Sequence, residues 1–332
     1  MSRRTQLVLF VVGSALFCYL LAQIGVAAVV RDAAKTGWMF VPILLLFGVG
    51  YVCNTGAWRL TMVGESRRPS FARLYAILVS GFALNFVTPM INVGGEPFRI
   101  AAVANWTGSR RAAGSVVMHN VLRTLGFLLS WLTALVLGFV KLPHDAGTLA
   151  VLIGTTLVVL VLLGVLFSGH RRGALEKLLD VLHRVPGLRR FARALEPRRE
   201  VLVHVDLQLA EFSAHHRGRF WGALTLEYVA RGIYMAEYYL IGLSIGIPLG
   251  FAKAYMIGGL VSLIQNVLFM VPFEMGSKEG SLYLLFGMAG LDPRLGIYMA
   301  IVSRMRDLAW IAAGLLLLGS GRPATRSPAT SS

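Results

Sequence analysis

Two polar stretches interrupt long apolar segments of this chain, and each carries residue types that could bind a charged group. The first contains Gly94-Gly95-Glu96-Pro97, with Arg99 two residues further on. Glycine lets another group approach the backbone closely, and proline suits the first turn of a helix. The free N–H groups and positive dipole end of that helix, together with an arginine, would form a binding site for phosphate.

Glu96 has three possible roles in this stretch. It could bind a cationic group, take up a proton, or hold Arg99 in place. A helix cap with an internal salt bridge would explain the same residues without a ligand. The candidate substrate-binding residues at this interruption are Asn85, Thr88, Pro89, Asn92, Gly94, Gly95, Glu96 and Arg99.

The second interruption, 271–281, follows the same logic. A proline near its beginning breaks the preceding helix, and Gly276-Ser277-Lys278-Glu279 then opens a new one. We predict that Glu279 is an acid at membrane depth, whereas we place Glu274 nearer the surface. The candidate substrate-binding residues here are Glu274, Gly276, Lys278 and Glu279.

Other charged residues lie inside apolar segments, where a charge is costly and usually functional. Glu227 and Arg231 are four residues apart, so they can pair on one helix face. His119 lies one turn before Arg123, and by itself it is more often a packed residue than a proton relay. We add Arg123 and Arg304 to the candidate substrate-binding set. The remaining members of this group are Glu237, Arg306 and Asp307.

Composition sets the context for these charges. Of 332 residues, 56% are hydrophobic and only 14% are charged. Runs such as Leu7–Val30 and Thr148–Phe167 hold about 20 apolar residues, enough to cross a bilayer. A soluble enzyme, a disordered chain and a disulfide scaffold are therefore excluded, and a polytopic all-α membrane protein remains.

The basic residues that produce the net charge of +16 cluster in the predicted loops. Eleven of the 32 basic residues lie in 169–219, which is typical of a cytoplasmic segment rather than of nucleic-acid binding, and we expect no nucleic-acid partner. We predict one transmembrane domain over 1–318, with an amphipathic helical insert at 169–220 on anionic lipid headgroups, and a disordered cytoplasmic tail at 319–332. His215-His216 lacks the spacing of a metal site.

The charge pattern also predicts the topology. If Arg110 and Arg111 are cytoplasmic, segment 74–104 must enter and leave on the same side. Segment 251–291 is then re-entrant from the opposite side, which suggests an inverted repeat around a central binding site. Both termini are cytoplasmic, and the membrane is of the bacterial inner type. The six full spans are predicted at about 6–29, 38–58, 112–140, 148–168, 221–247 and 295–318.

Both interruptions resemble signatures of a known family, the flippase-like, lysylphosphatidylglycerol-synthase transmembrane-region family. The first signature is matched by Asn85, Thr88-Pro89 and Gly94-Gly95-Glu96-Pro97-x-Arg99. The second is matched by Pro272 and Gly276-x-x-Glu279-Gly280, with Phe273-Glu274-Met275 where the family usually has glycines. The resemblance extends over nearly the whole chain in length and span order.

The resemblance implies that the protein handles a lipid: an aminoacylated phospholipid, a polyprenyl-phosphate-linked sugar or a hopanoid-type lipid. Bifunctional members of the family add a soluble aminoacyltransferase domain, which the 332 residues do not contain. The sequence also lacks nucleotide-binding, metalloprotease, CxxC and serine-hydrolase motifs, so we expect no cofactor and no metal. We therefore expect a stand-alone lipid flippase or scramblase rather than an enzyme.

Two alternatives remain open. The protein could be a membrane-embedded enzyme that modifies a lipid, with Glu96 or Glu279 as its acid or base. It could instead be an accessory subunit that presents lipid to a lipid-biosynthesis partner protein, with 169–220 as the docking surface.

Overall fold

The structure, a computed structural model, describes most of the predicted membrane domain. The described residues are 36–63, 68–87, 95–167, 199–268 and 276–318, without the side chains of 199–206. The predicted span at 6–29, the first part of the insert at 169–198 and the tail at 319–332 lie outside these ranges. All regular secondary structure in the described ranges is helical.

Helices occupy each predicted apolar segment within the described ranges. In chain order they are α1 (Phe40–Thr61), α2 (Phe71–Val87), α3 (Gly95–Thr107), α4 (Ser109–Lys141), α5 (Ala146–Phe167), α6 (Arg199–His215), α7 (Arg217–Ser244), α8 (Phe251–Val267), α9 (Ser277–Met288) and α10 (Pro293–Leu317). Among these residues, three segments are long and apolar enough to cross a membrane: Gly37–Thr61, Ser109–Lys141 and Ala146–Phe167. The chain is therefore a multi-pass helical membrane protein.

Two helices, α1 and α7, pack against each other in antiparallel orientation. Near the middle of α1, Gly50 lies beneath the ring of Tyr234, and ten residues later, near the end of α1, Leu60 contacts Gly222. Residue numbers thus rise along α1 as they fall along α7. Exposed tryptophans mark the two ends of this pair, Trp38 at one end and Trp221 at the other. Such aromatic residues are typical of the two membrane–water interfaces.

Gly50 must remain glycine for this pair to pack, and Gly50→Ala tests that requirement. A Cβ at Gly50 would lie 2.2 Å from the Tyr234 ring, and the hydroxyl of that ring is already bound to Asn54. Because the ring cannot move freely, we expect overpacking to lower the free energy of unfolding by about 1–3 kcal/mol. Thermal unfolding in detergent measures this loss of stability. Gly154→Ala on α5 is the control, since nothing lies within 4 Å of that position, and equal stability of both variants would contradict the packing.

The interruption predicted at 85–97 separates α2 from α3, and these two helices pack antiparallel as a hairpin. Near the tip, the Gly95 N–H donates to Asn85 Oδ1 at 2.7 Å. Near the open end, the Arg73 guanidinium lies 5.1 Å from the centroid of the Trp106 ring. The start of α2 and the end of α3 therefore lie at the same end of the bundle.

The second interruption separates α8 from α9 in the same way. Ser277 Oγ donates to Gln265 Oε1 at 3.0 Å near the tip, and Lys253 Nζ donates to the Ala289 carbonyl at 3.4 Å near the open end. These helices also form an antiparallel hairpin.

The packing partners of the two hairpins correspond. Each half of the bundle consists of a long helix, a hairpin and a second long helix: α1 to α4 in one half, α7 to α10 in the other. Helix α2 packs on α10 as α8 packs on α4, and α3 packs on α4 as α9 packs on α10. Helix α5, which packs on α4 and exposes apolar side chains along most of its length, lies outside this pattern.

Candidate functional site

Arg99 is held inside the bundle by side chains from two other helices. Its Nη2 lies 2.6 Å from His119 Nδ1, and its Nη1 donates to Asn120 Oδ1 at 3.4 Å, both on α4. The guanidinium also lies 4.3 Å from the centroid of the Trp58 ring on α1, which is a cation–π contact. A buried charge supplied by the first turns of α3 thus joins three helices.

The bonds of Arg99 fix the state of His119. A guanidinium can only donate hydrogen bonds, so His119 Nδ1 must accept one and its proton lies on Nε2. Nε2 donates to Glu227 Oε1 on α7 at 2.9 Å. Glu227 is 0% exposed, and its Oε2 accepts from Asn54 Nδ2 at 2.8 Å and Arg231 Nη2 at 3.4 Å. His119 is accordingly neutral, and Glu227 is the anion at the centre of this cluster.

Glu96 lies at the rim of the same cluster and is exposed. Asn120 separates it from Arg99, because the amide donates to Glu96 Oε1 at 2.6 Å while its oxygen accepts from Arg99. The internal salt bridge considered from the sequence is therefore replaced by a bridge through an amide. The first N–H of α3, on Gly95, is capped by Asn85 and is not free for a ligand.

Arg123 differs from the other arginines of the first cluster, the group formed by Glu96, Arg99, His119, Glu227 and Arg231. It is half-buried on α4, and its guanidinium lies 5.7 Å from the Phe127 ring centroid. No described residue forms an ion pair or a hydrogen bond with it. Because Arg99 and Arg231 are matched in number by Glu96 and Glu227, Arg123 is the excess positive charge of the cluster.

The second cluster centres on Glu279, which is 0% exposed in the first turn of α9. Arg304 on α10 donates to both carboxylate oxygens, from Nε at 2.5 Å and from Nη2 at 3.0 Å. The Gly276 N–H donates to the same carboxylate at 2.9 Å, so Glu279 also caps its own helix. Gly276 has a φ of 78°, which favours glycine at this helix start.

More ion pairs extend this second cluster towards α7. Lys278 Nζ lies 3.3 Å from Asp307 Oδ2, and Asp307 also pairs with Arg306. Arg306 binds both oxygens of Glu237 on α7, at 3.0 and 2.6 Å. Among the described residues, this cluster holds three cations and three anions: Lys278, Arg304, Arg306, Glu237, Glu279 and Asp307.

Aromatic and amide side chains connect the two clusters where α1 and α7 cross. The Arg306 guanidinium lies 3.4 Å from the centroid of the Phe47 ring, which in turn lies 4.6 Å from that of Tyr234. The Tyr234 hydroxyl donates to Asn54 Oδ1 at 2.6 Å, and Asn54 binds Glu227. Glu227 and Glu237 are ten residues apart on α7, or about 15 Å along its axis.

Both clusters lie deep in the bundle. Arg99 is eight residues from the end of α3 and Glu227 is ten residues from the start of α7, which places them about 12–15 Å from one end. Glu279 is nine residues from the end of α9 and Arg304 is eleven from the start of α10, or about 14–17 Å from the other end. These distances are close to half the thickness of the apolar core of a bilayer, which is about 30 Å.

Several buried donors near the two clusters have no partner. Within the described part of the chain, no acceptor reaches Arg99 Nε or Arg231 Nε in the first cluster, or Gln265 Nε2 beside the second. A buried polar group without a partner is costly unless water or a ligand satisfies it. Each of these three buried donors therefore lacks an acceptor that water or an anion could supply.

The structure groups the predicted site residues into two clusters rather than one. Glu96, Arg99 and Arg123 belong to the first, and Lys278, Glu279 and Arg304 to the second, while Asn85, Gly95 and Gly276 shape the helix starts. The predicted residues outside the described ranges are Thr88, Pro89, Asn92, Gly94 and Glu274.

Sequence reasoning missed the uncharged members of the first cluster. Asn54, Asn120 and Tyr234 complete its hydrogen bonds, and Trp58 covers Arg99. An asparagine within an apolar helix is a signal that could have identified two of them. Glu227, Glu237, Arg306 and Asp307 were recognised as charged residues in spans but not as parts of the site.

The fold and these charge clusters define a multi-pass helical membrane protein whose two helical hairpins bring ionised side chains to its centre. The chain belongs to the family of the lysylphosphatidylglycerol synthase TM region, whose sequence profile matches residues 6–314.

Two relatives cover most of the chain. A UPF0104 membrane protein of Pyrococcus horikoshii is 21% identical over 328 residues, which cover 93% of this chain and 96% of the relative. A UPF0104 membrane protein of Methanothermobacter thermautotrophicus is 22% identical over 268 residues, 77% of each chain. No solved structure matches the chain.

Proposed function

We propose that this protein translocates a polar-headed lipid that carries an anionic group, such as phosphate, across the bacterial inner membrane, and that it is not an enzyme. In this proposal, the hairpins α2–α3 and α8–α9 are re-entrant from opposite sides, and both termini are cytoplasmic. The headgroup passes the two charge clusters while the acyl chains remain in the lipid.

The antiparallel arrangement of α1 and α7 supports an inverted repeat. The corresponding long helices run in opposite directions and the hairpins exchange packing partners, which supports a two-fold axis that would relate one half to the other. Transporters with inverted repeats bind their substrates near the midplane, where broken helices meet. Here the broken helices supply Glu96 and Arg99 from one half and Glu279 from the other.

The excess charge of Arg123 is the observation that carries the proposal. An arginine with no ion-pair partner among the described residues, at membrane depth, is expensive unless it meets water or an anion. Arg99 and Arg231 each offer one unused buried donor close by. A lipid phosphate would neutralise Arg123 and accept these hydrogen bonds, because arginine forms strong charge-assisted bonds to phosphate.

The buried acids favour translocation over chemistry. Glu227 and Glu279 are fully buried, and each carboxylate accepts hydrogen bonds from three groups. A general acid or base must reach the proton that it transfers, so neither carboxylate is available to a lipid in this arrangement. Glu96 is exposed, but its contact is the neutral Asn120 rather than a nucleophile.

The family narrows the substrate to lipids with polar headgroups. Its name refers to the membrane region of a lysylphosphatidylglycerol synthase, so a lipid substrate fits this chain. Aminoacyl-phospholipids, polyprenyl-phosphate-linked lipids and hopanoid-type lipids are the classes to test first. The 169–220 segment is proposed to bind anionic headgroups at the cytoplasmic surface and to contact a lipid-biosynthesis partner.

Reconstitution into liposomes tests the proposal. Purified protein and fluorescent lipids are incorporated together, and a membrane-impermeant quencher reports the fraction of label in the outer leaflet over time. We expect the protein to speed transbilayer exchange of an anionic phospholipid relative to liposomes that hold an unrelated helical membrane protein. Exchange at the rate of that control for all three lipid classes would contradict the proposal.

A further inference from the structure

His119 lies between a cation and an anion, each bound to a different ring nitrogen. Nδ1 accepts from Arg99 Nη2 at 2.6 Å, and Nε2 donates to Glu227 Oε1 at 2.9 Å. The residue is 1% exposed, and its ring stacks on Trp58 with the ring centroids 5.8 Å apart. The only site on this imidazole that could receive a proton is therefore the one that Arg99 occupies.

We propose that a proton and Arg99 compete for His119 Nδ1, and that this competition couples lipid translocation to proton movement. The inference rests on the proposed lipid-translocating function and names its energy source. A proton from water would add to the Nδ1 lone pair and give an imidazolium, while the Nε2–H bond to Glu227 stays in place. Arg99 would lose its acceptor and face a like charge.

The remaining contacts of Arg99 are weak enough to allow this exchange. Its bond to Asn120 is long, at 3.4 Å, and its Nε has no partner within the described residues. The Trp58 ring holds the guanidinium by its face, which does not fix the direction of the N–H groups. Arg99 displaced from His119 is therefore free to bind an anionic headgroup together with Arg123.

The surrounding charges set the direction of the coupling. Glu227 favours a positive imidazole, whereas Arg99 and Arg123 oppose it. An anionic headgroup that binds these two arginines would remove that opposition, so the lipid and the proton should bind together. Helix α1 contributes Asn54 and Trp58, which do not titrate. Among the described residues, Arg99 on α3 and Glu227 on α7 contact the imidazole directly, and Arg231 on α7 acts through Glu227. Glu96 on α3 and Tyr234 on α7 lie two side chains away, and Arg123 on α4 acts only through its charge.

The substitution His119→Gln keeps both hydrogen bonds of the side chain but removes its ability to take up a proton. A glutamine amide can donate to Glu227 and its oxygen can accept from Arg99, but it does not titrate. The matched control is His144→Gln, because His144 is exposed in the loop after α4 and its hydrogen bond is to the Phe139 carbonyl. Liposomes containing fluorescent phosphatidylglycerol are prepared with equal pH on both sides or with a pH gradient.

We expect the wild type to bind about 5-fold more phosphatidylglycerol at pH 5.5 than at pH 8 and to move it faster with a pH gradient. His144→Gln should behave in the same way. For His119→Gln, neither the amount of lipid bound nor the rate of lipid movement should depend on pH. A pH response that survives in His119→Gln, or a wild type that does not respond to pH, would overturn the proton coupling. Complete absence of lipid movement in the wild type would instead contradict the proposed function itself.

Proton uptake by the wild type gives a second readout that needs no variant. When short-chain phosphatidylglycerol is added to the protein in weakly buffered detergent solution, we expect uptake of about one proton per chain. Lipid binding without proton uptake would overturn the inference even if His119→Gln failed to fold.

Discussion

Replacing Arg123 with glutamine should lower lipid movement about tenfold or more, because the loss of a charge-assisted hydrogen bond is worth about 1.5–3 kcal/mol of binding. Arg123 makes no ion pair within the described residues, so its removal leaves no buried acid unpaired. The variant should therefore be no less stable to heat than the wild type, because the substitution removes an unpaired charge. The liposome exchange assay and thermal unfolding in detergent measure the two properties on the same preparation.

Two further variants make the Arg123 test specific. Lys141→Gln removes the same charge from the same helix, but Lys141 is exposed at the end of α4, and lipid movement should be unchanged. Arg123→Lys keeps the charge but not the planar fork, so it should recover part of the activity. Unchanged activity in Arg123→Gln would refute the role of Arg123, and a loss in Lys141→Gln would point to net charge as the cause.

The sequence predicts much of this fold because membrane physics leaves few options. Apolar runs of sufficient length must be helices, since every backbone polar group needs a partner inside the lipid. Proline and paired glycines cannot continue such a helix, and α2 indeed ends at Val87 before α3 begins at Gly95. The orientation of the hairpins relative to a membrane stays a prediction, because it depends on the charge rule for Arg110 and Arg111.

The candidate site is less predictable, because most of its hydrogen bonds and ion pairs join residues on different helices. Glu96 and Arg99 are three residues apart, yet Arg99 binds His119 instead, and the sequence gives no reason for Asn120 to lie between them. The i,i+4 pair of Glu227 and Arg231 was predictable from helix geometry, and the two residues do pair, at 3.4 Å. Helix spacing thus predicts contacts within one helix, but not contacts between helices.

The two halves share a fold but not a charge pattern. Counted over the described residues, the first cluster has one excess positive charge and an exposed acid, whereas the second has equal numbers of cations and anions and has its acids bound at short range. An anion would therefore bind more readily beside α3 and α4 than beside α9 and α10. The two halves thus have the same order of helices but different charges, and α7 contributes an acid to both clusters.

Replacing Glu227 with glutamine should cause the largest loss of stability of any single change at the site. In the part of the chain that the structure describes, Glu227 is the only carboxylate within hydrogen-bonding distance of both His119 and Arg231. Its neutralisation raises the net charge of the first cluster from +1 to +2 and leaves Arg231 without its ion pair. Breaking a buried ion pair by removing one partner costs about 3–5 kcal/mol, and we expect a loss of this size in chemical unfolding in detergent.

A double variant separates the lost ion pair from other effects of the Glu227 substitution. Arg231→Leu combined with Glu227→Gln removes both charges, so the double variant should be more stable than Glu227→Gln alone, because no unpaired guanidinium remains. Glu211→Gln on the exposed face of α6 serves as the matched control and should unfold like the wild type. If Glu227→Gln unfolds like Glu211→Gln, the carboxylate of Glu227 does not hold the first cluster together, and Asn54 and His119 must be held by other contacts.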